Sequence, residues 1–94
     1  MIESSVKTRI ETYGGYLLLS RVREPDTVIY MWKATYYNFD NKEISSTIGN
    51  NQVLGLLRES YQKGFFPDGE SEKIFKVIEK VKKSITNRKK FKYI

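Results

Sequence analysis

Apolar and polar positions change period several times along the 94 residues, and each change marks an element. Ile2, Val6, Ile10 and Tyr13 recur three and four apart, as on one helix face, and Gly14-Gly15 supplies a left-handed stop. This spacing predicts a short helix over 3–13. Tyr16–Arg23 is rich in strand formers and runs into Glu24-Pro25-Asp26-Thr27, where proline and aspartate suit a tight turn. Val28–Tyr37 holds β-branched and aromatic residues throughout, the strongest strand signal in the chain. Asn38-Phe39-Asp40-Asn41 turns it back into a shorter strand over Glu43–Ile48. Together these predict a three-stranded antiparallel meander.

Gly49-Asn50-Asn51 then offers N-caps to a helix carrying Val53, Leu54, Leu57 and Tyr61 on one face, ended by Lys63-Gly64. Phe65-Phe66-Pro67-Asp68-Gly69 reads as a turn whose two aromatic rings plug the core. Ser71 caps a last helix in which Ile74, Val77, Ile78, Val81 and Ile85 face inward. The expected fold is α+β, one domain over 1–86 in the order α-β-β-β-α-α, with a basic tail over 87–94.

A two-residue turn at Pro25-Asp26 pairs Arg23 with Val28, Arg21 with Tyr30 and Leu19 with Trp32. Arg21, Arg23, Tyr30, Trp32 and Tyr36 then share one sheet face. Val22, Ile29, Met31, Leu18, Tyr37, Ile44 and Ile48 share the other and have the composition of a core. The first set interleaves cations with aromatic rings, as surfaces that stack bases or grip a protein do. It also contains Leu17, Leu19 and Ala34, so a covering helix is the competing reading of that face, and aromatic rings more often fill cores than bind.

Charge changes the picture at the C-terminal end. Residues 1–72 carry eight Lys and Arg against ten Asp and Glu, whereas 73–94 carry nine against Glu79 alone. The overall +6 is therefore a property of the last quarter of the chain. On the last helix Lys73, Lys76, Lys80 and Lys83 fall within about 80° of arc, away from the apolar stripe. Arg88, Lys89, Lys90 and Lys92 continue this basic ridge. Part of it is ordinary dipole complementation at a helix end, or simply a solvated face. Its other reading is a contact surface for nucleic acid, a nucleoprotein complex or an acidic protein surface. Twelve of the seventeen cations are lysine, which acts as a point charge and favours phosphate attraction over bidentate base reading.

Catalysis finds little support. The chain has no cysteine and no histidine, which removes thiolate chemistry, cysteine metal sites and the commonest general base. No paired-carboxylate motif and no Gly-rich phosphate loop after a strand is present, and no cofactor is expected. Lys63-Gly64-Phe65 matches the start of an RNA-recognition signature, but Phe66-Pro67 breaks it. Asp68, Glu70 and Glu72 alternate like calcium ligands without the glycine and later glutamate such a loop needs. Lys83-Ser84 lacks a base or oxyanion donor. The longest apolar run, Tyr16–Leu19, is far below a membrane span, and Met1-Ile2-Glu3-Ser4-Ser5 is unlike a signal peptide. A cytoplasmic protein without membrane contact is expected.

The order of elements resembles two known groups. Helix, three strands and helix is the order of double-stranded RNA-binding domains, although Gly49-Asn50-Asn51-Gln52-Val53 stands where their lysine-rich motif belongs. The opening helix at Val6–Tyr13, the hairpins from Tyr16 to Ile48, and Gln62-Lys63-Gly64-Phe65-Phe66 before Glu70-Ser71-Glu72 together resemble the layout of small phage anti-CRISPR inhibitors of guide-RNA nucleases. That layout covers about residues 3–83. The member with this layout mimics DNA with carboxylates, and the charge here is opposite, so no functional residue transfers. The resemblance implies a stoichiometric inhibitor of a host nucleic-acid-processing defence complex, working in the host cytoplasm through the basic helix. The alternative is direct DNA or RNA binding by the ridge and the Arg21, Arg23, Tyr30, Trp32 face.

Overall fold

The computed structural model describes residues 2–23, 25–26 and 29–92, with the side chains of 87–92 excepted. Strands β1 (Ile2–Glu3), β2 (Thr8–Thr12), β3 (Gly15–Arg23), β4 (Tyr30–Asn38) and β5 (Glu43–Ile48) come first, and helices α1 (Asn50–Gln62) and α2 (Ser71–Lys92) follow. All pairings are antiparallel; β4 lies between β3 and β5, while β1 and β2 share the other edge of β3. The domain is α+β, with both helices packed on one face of the sheet.

The N-terminal segment departs from the expected helix. Thr8-Arg9-Ile10-Glu11-Thr12 alternates β-branched with charged residues, and as β2 it pairs with β3 from Thr8↔Leu19 to Thr12↔Gly15. Of the four residues spaced like a helix face, only Ile10 is buried; Val6 is 77% exposed and Tyr13 66%. The Tyr13-Gly14 turn and the period-two pattern therefore outweigh the helical spacing. Gly15 is required here, because a Cβ would run into the carbonyl oxygen of Tyr37 on the neighbouring strand. The expected three-stranded sheet thus has five strands, and both helices are C-terminal.

The β3–β4 register is Leu19↔Ala34, Arg21↔Trp32 and Arg23↔Tyr30, two residues from that expected of a two-residue turn. Val28, the expected partner of Arg23, lies outside the described residues. A shift of two preserves which residues share a face, so the division into two sets holds. The covering-helix reading of the first set holds, and the second set, expected as core, lies on the other face. Leu17, Leu19, Trp32 and Ala34 are buried with Ile10 against Val53 and Leu57 of α1 and Ile74, Val77 and Val81 of α2. Of the set expected as core, only Val22 is fully buried, while Ile29, Ile44 and Ile48 are exposed.

Local chemistry fixes the joints. Asn38 Oδ1 accepts from the backbone N–H groups of Asp40 and Lys42, and Asn41 takes φ 60° in the β4–β5 turn. Beyond β5 the Gly49 N–H donates to the Trp32 carbonyl (2.9 Å), and the Trp32 N–H donates to Asn50 Oδ1 (2.9 Å). Of the three residues expected to offer caps, Gly49 takes the N-cap position, while Asn50 extends the ladder with its side chain. At the end of α1, Gly64 at φ 74° donates to the Tyr61 carbonyl and Phe65 to that of Ser60, a Schellman stop. Phe66 enters the core, whereas Phe65 stays exposed and its carbonyl accepts from the Tyr13 N–H (3.1 Å).

Candidate functional site

The basic ridge is real as geometry but uneven in charge. At its start Lys73 Nζ lies 3.4 Å from Glu70 and 3.3 Å from the Arg9 carbonyl, which ties α2 to β2. Lys76 pairs with Glu72 at 3.2 Å, and Lys82, outside the ridge, with Glu79 at 3.5 Å. Lys80 and Lys83 have no carboxylate partner among the described residues. Acids in the first turn complement the helix dipole, and the same acids neutralise the first half of the ridge. The positive potential is consequently concentrated from Lys80 onward. The helix continues through Lys92 where a tail without assigned structure was expected. The side chains of Arg88, Lys89, Lys90 and Lys92 lie outside the described residues.

The sheet set meets α2 on the helix face that carries Ser84, through Trp32. Trp32 is 7% exposed and belongs to the core, so it is not available to stack on a base. Its Nε1–H donates to Ser84 Oγ (3.0 Å), and Ser84 donates in turn to the Lys80 carbonyl (3.1 Å) one turn earlier. This satisfies a buried indole donor and fixes the rotation of α2 over β4. The Arg21 guanidinium carbon lies 5.6 Å from the Trp32 ring centroid and 5.3 Å from that of Tyr30. Arg23 reaches the same Tyr30 ring at 5.9 Å and donates to the Pro25 carbonyl (3.2 Å). Arg21 and Tyr30 are exposed. Arg21, Arg23 and Tyr30 therefore form a cation–aromatic patch beside the point where α2 crosses the sheet, and Trp32 is its buried floor.

A second cluster escaped the sequence reading. On the face away from the helices, Arg9 sits 3.9 Å from the Tyr16 ring centroid, and Tyr16 stacks on Tyr37 at 5.1 Å. Arg9 is held from the side by Glu11 at 2.6 Å, which raises the guanidinium pKa further through that hydrogen bond. Reading 3–13 as a helix hid this cluster; the alternation from Thr8 to Thr12 before Gly14-Gly15 was the signal that reveals it. Because Glu11 offsets Arg9, the cluster carries less net charge than the end of α2.

No helix among the described residues is long and apolar enough to cross a membrane. Comparisons with protein-family models, curated proteins and solved structures gave no match.

Proposed function

We propose that this protein is a non-catalytic nucleic-acid-binding module that holds phosphates along α2. One observation carries the reading: Lys80 and Lys83 have no carboxylate partners among the described residues, and the helix that bears them is fixed through Ser84 to Trp32, the ring beside which Arg21 lies. Lysine point charges on a rigid helix attract a polyanion without reading its sequence, while the arginines and Tyr30 supply planar groups at one end of the track. The inhibitor reading rests on an element order beginning with a helix, and a β-hairpin stands in that place. It contributes a different partner, a nucleoprotein complex or an acidic protein groove, for the same ridge.

Fluorescence anisotropy of labelled duplex DNA, single-stranded DNA and RNA at roughly 50 and 200 mM salt tests the proposal. Binding that weakens steeply with salt is expected. The double variant Lys80→Glu, Lys83→Glu is expected to keep the fold and lose most of the affinity, with a salt slope reduced by about two. If none of the three nucleic acids binds at the lower salt, the proposal fails and the ridge is left to a protein partner.

A further inference from the structure

β5 forms one edge of the sheet, and five of its six residues are exposed. Sheet edges that stay single are usually blunted by lysine, proline or an inward-pointing charge. Glu43–Ile48 has none of these three; its only charge is Glu43, at the first position, beside a bulge at that end. We propose that this edge is an interface between two copies of the chain, joined by antiparallel pairing of β5 with β5 about a two-fold axis.

The backbone and the sequence select one register. Gly49 donates to the carbonyl of Trp32, and Thr47 and Ser45 stand opposite Ala34 and Tyr36. In an antiparallel ladder, hydrogen-bonding direction alternates along the strand, so Ser46 and Ile48 direct their N–H and C=O groups to the free edge. The bulge opposite Tyr36/Tyr37 falls at Ile44, the last residue of the stretch to be paired. Read in reverse, Ile44-Ser45-Ser46-Thr47-Ile48 is nearly itself. Centring the axis on Ser46 sets Ser46 opposite Ser46, Ile44 opposite Ile48 and Ser45 opposite Thr47. An isologous contact requires this self-complementarity, and hydroxyl and β-branched pairs are the ones that stabilise cross-strand neighbours. No charge faces a like charge within the paired stretch.

Each chain carries +6, so the approach is favoured where salt screens that charge. The positive charge belongs to α2, whereas α1 packs over β4 and β5. α2 meets the sheet at the Arg9 carbonyl of β2 and at Trp32 of β4, one strand in from the β5 edge. A two-fold axis perpendicular to the sheet keeps like faces together, so both helix layers lie on one side of a continuous sheet. The inference stands independently of nucleic-acid binding.

Sedimentation equilibrium of the full chain from roughly 1 µM to 1 mM, repeated with Ser46→Lys, provides the test. The wild-type chain is expected to move from one to two chains as concentration rises. Ser46→Lys places two ammonium groups against each other on the axis and is expected to remain a single chain with an unchanged circular dichroism spectrum. Should that variant lose the fold, Ile44→Lys, at a residue 54% exposed, replaces it. A wild-type chain that stays single throughout overturns the proposal, as does a dimer that persists in a folded lysine variant.

Discussion

On β3, Leu17 and Leu19 are buried beneath the helices, while Leu18 between them looks out from the face that no described helix covers. The same alternation runs through β4, where Trp32 and Ala34 point inward and Met31, Lys33 and Tyr37 outward. Both faces are rich in apolar and aromatic residues. What separates them is how their polar groups are treated. Inside, the polar atom of Trp32 has a fixed partner in Ser84. Outside, charged side chains lie flat over the surface: Arg9 over Tyr16, and Glu3 between Ser20 and Lys33. Long charged side chains of this kind shield apolar surface while keeping their heads in water. The outer face is therefore finished by side chains and the inner face by secondary structure.

The largest expected effect tests the inner face. Trp32→Ala opens a cavity beneath α2 and removes the indole donor to Ser84, for a loss of about 3–5 kcal/mol, comparable to much of the stability of a small domain. Chemical denaturation measures it. A loss below about 1 kcal/mol would falsify the assignment of Trp32 to the core.

The outer face supplies the counterpart. Tyr37→Ala removes the ring stacked on Tyr16, and pairs of this kind contribute about 0.5–1.5 kcal/mol beyond their buried area. The variant is expected to lose distinctly less stability than Trp32→Ala in the same denaturant series. Equal losses would erase the distinction between the faces.

The smallest effect is electrostatic. The hydrogen bond from Ser20 Oγ holds the Glu3 carboxyl below its ordinary value of 4.5, with Lys33 and Lys7 adding to the shift. A carboxylate depressed in the folded state contributes stability above its unfolded value, and that contribution fades as pH falls through the lower folded value. Wild-type stability is expected to decline below about pH 4.5 more steeply than that of Glu3→Gln. Parallel melting curves for the two over pH 3–6 would remove Glu3 from the account.

How much of this was legible depends on which signal each residue gives. The turn at Asn38–Asn41, the stop at Lys63-Gly64 and the inward stripe of Ile74, Val77 and Val81 are local, and the structure keeps all three. The grouping of Arg21, Tyr30 and Trp32 on one face also survives a register error of two, since strand periodicity is two. Alternation does not say which of two apolar faces a helix will cover. That choice is made by distant chain segments, 52 residues away in Trp32–Ser84 and 64 in Arg9–Lys73, and no local window contains them. Residues 3–13 failed for a different reason. Ile2, Val6 and Ile10 fit one helix face while Thr8 to Thr12 fit a strand, and the deciding partner, β3, lies outside the segment. For the site, the ridge lysines were visible as a charge pattern. Their partial neutralisation by Glu70 and Glu72 depends on side-chain reach, which spacing alone leaves open.

The sequential pairing of β2 through β5 has a consequence for the order in which the chain assembles itself. Each of these strands pairs with its neighbour in sequence, so the sheet consists of short-range contacts, the kind that form quickly. α1 follows directly and covers part of the inner face. The remaining cover, Ile74, Val77, Val81 and the Ser84 hydroxyl, arrives only with the last quarter of the chain. During synthesis from the N-terminus, a finished meander must therefore wait with the Trp32 indole lacking its hydrogen-bond partner, and α2 acts as the closing clasp as well as the bearer of the charge.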